Sequence, residues 1–294
     1  MKFRGVFTAL ITPFKLNGDL DEQAMEKLIE FQIENGIDGV VPCGTTGESP
    51  TLSHEEQDRV IELTVNAVNK KVPVIAGTGS NSTAEAIRLT GHAMEVGADA
   101  ALLVNPYYNK PTQKGLYLHF KAIADACDIP CIVYNIKGRT AVNVETPTLV
   151  KLMNDCDNIV AVKEASGDLG QMKDVISKKK EGFSVLSGDD NMALDLIEAG
   201  GDGVISVASN LVPDKMVKMV HTALDGDIKK AKELERELAD LFRVEFIETN
   251  PIPIKTALSM AGMCEEVFRL PMCELEIPEH KKDLEKVMSK LNLK

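Results

Sequence analysis

The sequence contains the segment Ile159-Val160-Ala161-Val162-Lys163-Glu164, which is apolar as far as its lysine. As a β-strand, it would place Ile159, Ala161 and Lys163 on one face and the two valines on the other. Both faces are apolar, which is typical of a parallel strand that is covered on both sides. Desolvation at the end of such a strand favours the neutral amine, which can form a Schiff base with a carbonyl compound. The alternative is a lysine that extends into solvent.

Seven other short apolar segments alternate with helical periodicity through residues 1–225. Eight strand-helix units of this total length predict an α/β fold, a (β/α)8 or TIM barrel. An open doubly wound sheet is the alternative, but its glycine-rich fingerprint is missing, since the first segment ends in Thr12-Pro13. The predicted strands are 6–11, 39–43, 72–76, 98–104, 130–134, 159–163, 183–186 and 203–207.

After residue 225 the periodicity is only helical, with helices predicted at 227–246, 251–261 and 279–291. This part is too short for an independent catalytic domain. We therefore predict a catalytic barrel over residues 1–225 and a C-terminal helical extension, residues 226–294, packed on it.

The composition is that of a globular protein, with 294 residues, 44% hydrophobic and 27% charged. A formal net charge of -12 argues against nucleic acid or an anionic membrane as a partner. There is no apolar run of membrane-spanning length and no signal-peptide pattern at the start, so we expect a cytoplasmic protein. The six cysteines and five histidines show no zinc-like spacing, and we expect no metal.

Polar residues collect at the predicted carboxyl ends of the strands, where barrels hold their active sites. Three of the four tyrosines fall there, and hydroxyl groups such as those of Thr45, Tyr134 and Tyr108 could relay protons to and from a carbinolamine. Taken singly, each could be a turn or rim residue. The residues at these ends are Thr45, Thr46, Tyr107, Tyr108, Tyr134, Lys163, Gly188, Ile205 and Ser206.

Two features suit anionic substrates. The loop Gly44-Thr45-Thr46-Gly47 lets backbone N–H groups approach a carboxylate closely. Arg139, in a short predicted loop after the fifth strand, could hold a second carboxylate through two hydrogen bonds, or it could be an ordinary surface arginine.

Short motifs occur in order along the whole chain. They are Gly44-Thr45-Thr46-Gly47-Glu48, Pro106-Tyr107-Tyr108-Asn109-Lys110-Pro111, Tyr134-Asn135, 162–168, 187–190, 203–207 and 250–255. In this order they resemble the motifs of the dihydrodipicolinate synthase and N-acetylneuraminate lyase superfamily of class I aldolases. Within that superfamily, Thr45-Thr46, Tyr108 and Arg139 are similar to the dihydrodipicolinate synthase family.

The resemblance implies condensation of pyruvate with L-aspartate 4-semialdehyde, in diaminopimelate and lysine biosynthesis, with no cofactor. It implies that Lys163 forms the Schiff base and that Tyr134 donates and accepts protons. Thr45 and Tyr108 would complete the proton relay, with Tyr108 supplied by a neighbouring subunit of a homotetramer built from tight dimers. Substrate contacts are expected from Thr46, Arg139, Gly188 and the Ile205 carbonyl group.

The chain departs from the family at Lys137, where the family usually has proline. Without proline and with Gly138 beside it, the loop that carries Arg139 is expected to be looser, while Lys137 adds positive charge near an anionic substrate.

The family's lysine-feedback site is matched in part. The matching residues are Ser49, His54, Asn81, Glu85 and Tyr107. Gln57 stands where some members have histidine, and Pro50 replaces a small residue.

Two other functions remain open on the sequence. One is another pyruvate-dependent aldolase, such as N-acetylneuraminate lyase or a 2-keto-3-deoxy sugar acid aldolase. The other is a catalytically silent barrel that binds an oxo acid.

Overall fold

Eight parallel strands form the centre of the molecule, which the computed structural model describes over residues 2–293. The strands are β1 (Gly5–Ala9), β2 (Gly39–Val41), β3 (Ile75–Gly77), β4 (Ala100–Val104), β5 (Cys131–Asn135), β6 (Ile159–Glu164), β7 (Ser184–Ser187) and β8 (Gly203–Ser206). They pair in the order β2-β1-β8-β7-β6-β5-β4-β3, and a parallel bridge between Val40 and Val74 joins the two ends of the sheet. The predicted (β/α)8 barrel is confirmed.

Helices follow the strands around the outside of this barrel. Helix α2 begins directly after Ser53, which forms a reciprocal capping box with Glu56. The predicted loop around Arg139 is instead a single helical turn, α5. The helices are α1 (Glu22–Glu34), α2 (His54–Val68), α3 (Thr83–Glu95), α4 (Gln113–Ala126), α5 (Lys137–Thr140), α6 (Thr146–Asp155), α7 (Leu169–Lys178), α8 (Ala193–Glu198), α9 (Pro213–Leu224), α10 (Ile228–Val244), α11 (Ile252–Met260) and α12 (Pro278–Lys290).

A cluster of buried side chains from all eight strands fills the barrel interior, as is usual for this fold. Ala161 and Tyr134 belong to this inner cluster, whereas Val162 packs in a second cluster with residues of the outer helices. Strand alternation therefore directs Lys163, two residues after Ala161, towards the barrel interior.

One part of the prediction for β6 is wrong. Ile159 packs in the outer cluster with Val162, and Val160 packs against the inner cluster. The register between β5 and β6 shifts here, because Cys131 pairs with Ile159 and Ile132 pairs with Ala161. Val160 is the additional residue of a β-bulge. The bulge reverses which face the side chains before Ala161 point to, and it leaves Ala161 and Lys163 on the inner face.

The C-terminal helices share a core with the barrel helices. Leu238 and Leu241 of α10 and Leu284 of α12 lie in the same buried cluster as Met25 of α1 and Ile61 of α2. Within residues 2–293 no helix has the length and apolar character needed to cross a membrane.

His119, on α4, is a buried histidine whose Nδ1 lies 2.9 Å from the Thr83 hydroxyl oxygen. Burial lowers its pKa to about 4. An unfolded chain protonates this group below about pH 6.5, and the folded chain only near its lowered pKa. The unfolded state thus binds more protons between these values, so the stability falls as the pH falls through this window.

We expect His119→Gln to remove this pH dependence. Between pH 7 and pH 5, the free energy of unfolding of the wild type should fall by about 2 kcal/mol more than that of the variant. Denaturant titrations at several pH values and one protein concentration measure the free energy of unfolding. If this free energy changes equally with pH in the two proteins, His119 is not the cause of the pH dependence.

Candidate active site

Lys163 and Tyr134 face each other at the carboxyl ends of β6 and β5. They are paired across the two strands, and Lys163 Nζ lies 4.3 Å from the centre of the Tyr134 ring. Each side chain is only 5% exposed. The structure therefore brings together the amine and the phenol that the sequence assigned to Schiff-base chemistry.

A polar network behind this pair was missed by the sequence analysis. Asn135 and Glu164, which directly follow Tyr134 and Lys163, are buried and bonded to each other, with Asn135 Nδ2 donating to Glu164 Oε1 over 3.1 Å. Glu164 also accepts the Ser166 N–H, and its burial raises its pKa. These bonds hold the ends of β5 and β6 in the register that places the amine opposite the phenol.

Gly188 follows β7 and lies against the lysine side chain. A Cβ at this position would come within 2.6 Å of Ala165 Cβ and 3.0 Å of Lys163 Cε. Any larger residue therefore displaces the amine or its support. The next residue, Asp189, is partly buried, and this burial raises its pKa although Lys163 and Arg139 lie nearby.

We expect Gly188→Ala to lower kcat/KM about tenfold or more, because a shift of about 1 Å in a reacting group is costly. Gly91→Ala is the matched control, since a Cβ at Gly91 on α3 meets nothing within 4 Å. Steady-state kinetics measures the effect. Equal activity of the two variants would show that Gly188 does not shape the site.

A cavity of about 400 Å³ opens at this end of the barrel. Thr45, Tyr107, Tyr134 and Arg139 line it. Lys163 does not line the cavity itself, but its amine lies over the ring of Tyr134, and Tyr134 does line the cavity. The volume of the cavity is that of a small-molecule site.

The loop after β2 and the α5 turn are both tied to Asn250, which the sequence analysis quoted in a motif without a role. Asn250 Nδ2 donates to Thr46 Oγ1 over 3.1 Å, and Arg139 Nη2 donates to the Asn250 carbonyl oxygen over 3.1 Å. Thr46 is buried, whereas Arg139 is exposed at the cavity. Asn250, a single residue that precedes α11, thus connects Thr46 and Arg139, the two side chains assigned to carboxylate binding.

Several predicted site residues lie outside the cavity lining, namely Lys163, Thr46, Gly188, Ile205, Tyr108 and Asn81. Ile205 is buried within the inner cluster of the barrel. Tyr108 is 91% exposed and has a positive φ of 72°, which is uncommon for a residue with a Cβ. Within one chain, Tyr108 therefore stands in solvent, whereas the neighbouring Tyr107 lines the cavity.

The residues matched to the feedback site are gathered at the side of the same cavity. Ser49, His54, Glu85 and Tyr107 line it, and Asn81 Nδ2 donates to the Tyr107 carbonyl oxygen over 3.2 Å. His54 Nε2 lies 2.6 Å from Glu85 Oε1. The Ser80 hydroxyl group also donates to Glu85, and these contacts lower the pKa of that carboxyl group.

Cys43, beside the Gly44–Gly47 loop, is a buried thiol, and burial raises its pKa. A reactive cysteine needs an accessible thiolate. Cys43 packs in a buried cluster with residues of the outer helices and also borders the cavity.

Known proteins resemble this chain over nearly its whole length. The sequence matches the Dihydrodipicolinate synthetase family over residues 2–291. It is 55% identical to the 4-hydroxy-tetrahydrodipicolinate synthase of Syntrophus aciditrophicus, over 99% of each chain. The fold matches the crystal structure of dihydrodipicolinate synthase from Aquifex aeolicus with a TM-score of 0.97 and 52% identity, over 99% of each chain. It also matches a structure of the enzyme from Cyanidioschyzon merolae with lysine bound, with a TM-score of 0.97 and 41% identity, over 99% of each chain. The chain belongs to the Dihydrodipicolinate synthetase family.

Proposed function

We propose that this enzyme is a Schiff-base-forming lyase that condenses pyruvate with L-aspartate 4-semialdehyde to give 4-hydroxy-tetrahydrodipicolinate, in lysine biosynthesis. Family membership supports this reaction. The observation that carries the residue assignment is the position of the Lys163 amine over the Tyr134 ring at the carboxyl ends of β6 and β5.

Lys163 is the nucleophile of this reaction. Its neutral amine adds to the ketone of pyruvate, and the carbinolamine loses water to give an imine. Loss of a methyl proton gives an enamine, whose carbon bonds to the aldehyde of the second substrate. The amino group of that substrate then attacks the imine carbon, which closes the ring and releases Lys163.

Tyr134 moves protons at the carbinolamine oxygen, because a phenol can both donate and accept. Thr45, which lines the same cavity, continues the relay. Thr46, with the Gly44–Gly47 backbone, holds the pyruvate carboxylate. Gly188 and the Ile205 carbonyl group complete the pyruvate site.

Arg139 holds the carboxylate of the semialdehyde, with Lys137 on the same helical turn adding positive charge. We expect Arg139→Ala to raise KM for the semialdehyde about 10- to 100-fold, because the variant loses a charge-assisted hydrogen bond to the substrate carboxylate. The KM for pyruvate should change far less. Initial rates with each substrate varied in turn measure both constants, and equal effects on them would count against this role.

The experiment that tests the reaction compares substrates. The purified chain is assayed with pyruvate and L-aspartate 4-semialdehyde and, in the cleavage direction, with N-acetylneuraminate. We expect turnover only of the first pair. Turnover of N-acetylneuraminate alone would instead identify a lyase of the sugar-acid type, and turnover of neither would favour a silent barrel.

A second copy of the chain completes the proton relay with Tyr108. The high exposure and positive φ of this tyrosine support a contact outside its own chain. We expect a homotetramer built from tight dimers. Light scattering at assay concentration tests the assembly, and a fully active monomer would contradict it.

Lysine binds beside Ser49, His54, Asn81, Glu85 and Tyr107 and inhibits the enzyme. The carboxylate of Glu85 at the cavity wall offers a partner for an ammonium group. A lysine titration of the initial rate to millimolar levels tests this regulation, and an unchanged rate would dispose of it.

The cytoplasm is the proposed location. All six cysteines lie within the described residues as free thiols, which is usual in a reducing compartment.

A further inference from the structure

A buried ion pair joins the C-terminal extension to the loop after β2. Lys255 Nζ, on α11, lies 2.6 Å from Glu48 Oε1, and the two side chains are 0% and 1% exposed. The ammonium group also lies 4.1 Å from the centre of the Phe14 ring. Such a pair is weak evidence for stability, because the desolvation of two charges offsets much of their attraction.

Glu48 is the last residue of the Gly44-Thr45-Thr46-Gly47-Glu48 motif, and its backbone is left-handed, with a φ of 52°. A residue with a Cβ adopts this conformation only when its surroundings enforce it. Glu48 also lines the cavity. The pair with Lys255 therefore fixes the end of the loop that carries Thr45 and Thr46.

The same C-terminal segment contacts this loop a second time. Asn250, just before α11, donates to Thr46 Oγ1 over 3.1 Å and is itself buried. The two contacts lie five residues apart on one short segment and hold two positions of one loop.

We propose that the segment 250–255 is a positioning device for pyruvate: through Asn250 and Lys255, it holds the Thr45–Glu48 loop in the geometry that binds the carboxylate. This inference rests on the proposed function. Neither residue touches the reacting atoms, so both are positioning residues that act through Thr46 and Glu48. The C-terminal extension thereby takes part in forming the active site as well as in packing.

The test removes both charges of the pair with side chains of similar shape, in the double variant Glu48→Gln/Lys255→Met. Removing only one charge would leave the other buried and unpaired, which is strongly destabilising, whereas the double variant leaves no buried charge at the pair. We expect the double variant to fold, with KM for pyruvate raised about tenfold or more and KM for the semialdehyde changed less. Trapping of pyruvate on the protein by borohydride should persist at saturating pyruvate.

The matched control is Lys179→Met/Asp202→Asn. It removes a 2.7 Å ion pair next to the start of β8, at the opposite end of the barrel, where Asp202 is 5% exposed. This control should lower stability and leave both KM values unchanged. A folded Glu48→Gln/Lys255→Met protein with a pyruvate KM within about twofold of the wild type would overturn the proposal.

If the double variant does not fold, Asn250→Ala tests the proposal instead, because it removes the side-chain contact with Thr46 and keeps the ion pair. A pyruvate KM raised about tenfold supports the proposal, and one within about twofold of the wild type overturns it. A separate result tests the proposed function on which this inference rests. If the wild type forms no borohydride adduct with pyruvate, the Schiff-base reaction itself is refuted.

Discussion

Lys163→Met is expected to lower kcat by about four orders of magnitude or more, because the covalent step then has no amine at the site. Methionine is unbranched like lysine and only one heavy atom shorter, so most of the space beside Tyr134 stays filled. Steady-state kinetics and intact mass after borohydride treatment with pyruvate measure the loss of rate and of adduct.

Lys173→Met is the control for this variant. Lys173 lies exposed on α7, the helix that follows β6, and its replacement should leave the rate and the adduct unchanged. A Lys163→Met protein that still forms the adduct would show that another lysine is the nucleophile.

Tyr134→Phe is expected to lower kcat/KM about 10²- to 10⁴-fold, the usual contribution of a general acid–base group. The variant keeps the ring over which the Lys163 amine lies and removes only the hydroxyl group. Any loss therefore reports on proton transfer, and single-turnover trapping should show slower formation of the Schiff base.

Tyr117→Phe is the matched control for the loss of a phenol hydroxyl. Tyr117 lies on α4 and donates to Asp155 over 2.7 Å at the protein surface. This variant should keep full activity. A Tyr134→Phe protein as active as Tyr117→Phe would remove Tyr134 from the proton relay.

Local pattern was enough for the barrel and for the direction of Lys163. Segments with apolar residues on both faces predict parallel strands. Eight such segments with intervening helices predict that the sheet closes into a barrel. Tyr134 and Lys163 could be placed together because both end strands of one barrel.

Features that depend on distant contacts were beyond such reasoning. The bulge at Val160 reflects pairing with β5, which is not visible in the apolar pattern of β6. The contacts of Asn250 and Lys255 join residues more than 200 positions apart. A polar residue and a lysine inside the otherwise apolar segment 250–255 were the only signal, and either could have been a surface position.

Borohydride trapping with pyruvate, followed by peptide mapping, tests directly whether Lys163 is the nucleophile. We expect one reduced adduct, on the peptide that contains Lys163, and none in the Lys163→Met protein. An adduct on another lysine, such as the buried Lys255, or no adduct in the wild type, would contradict the assignment of Lys163 as the nucleophile.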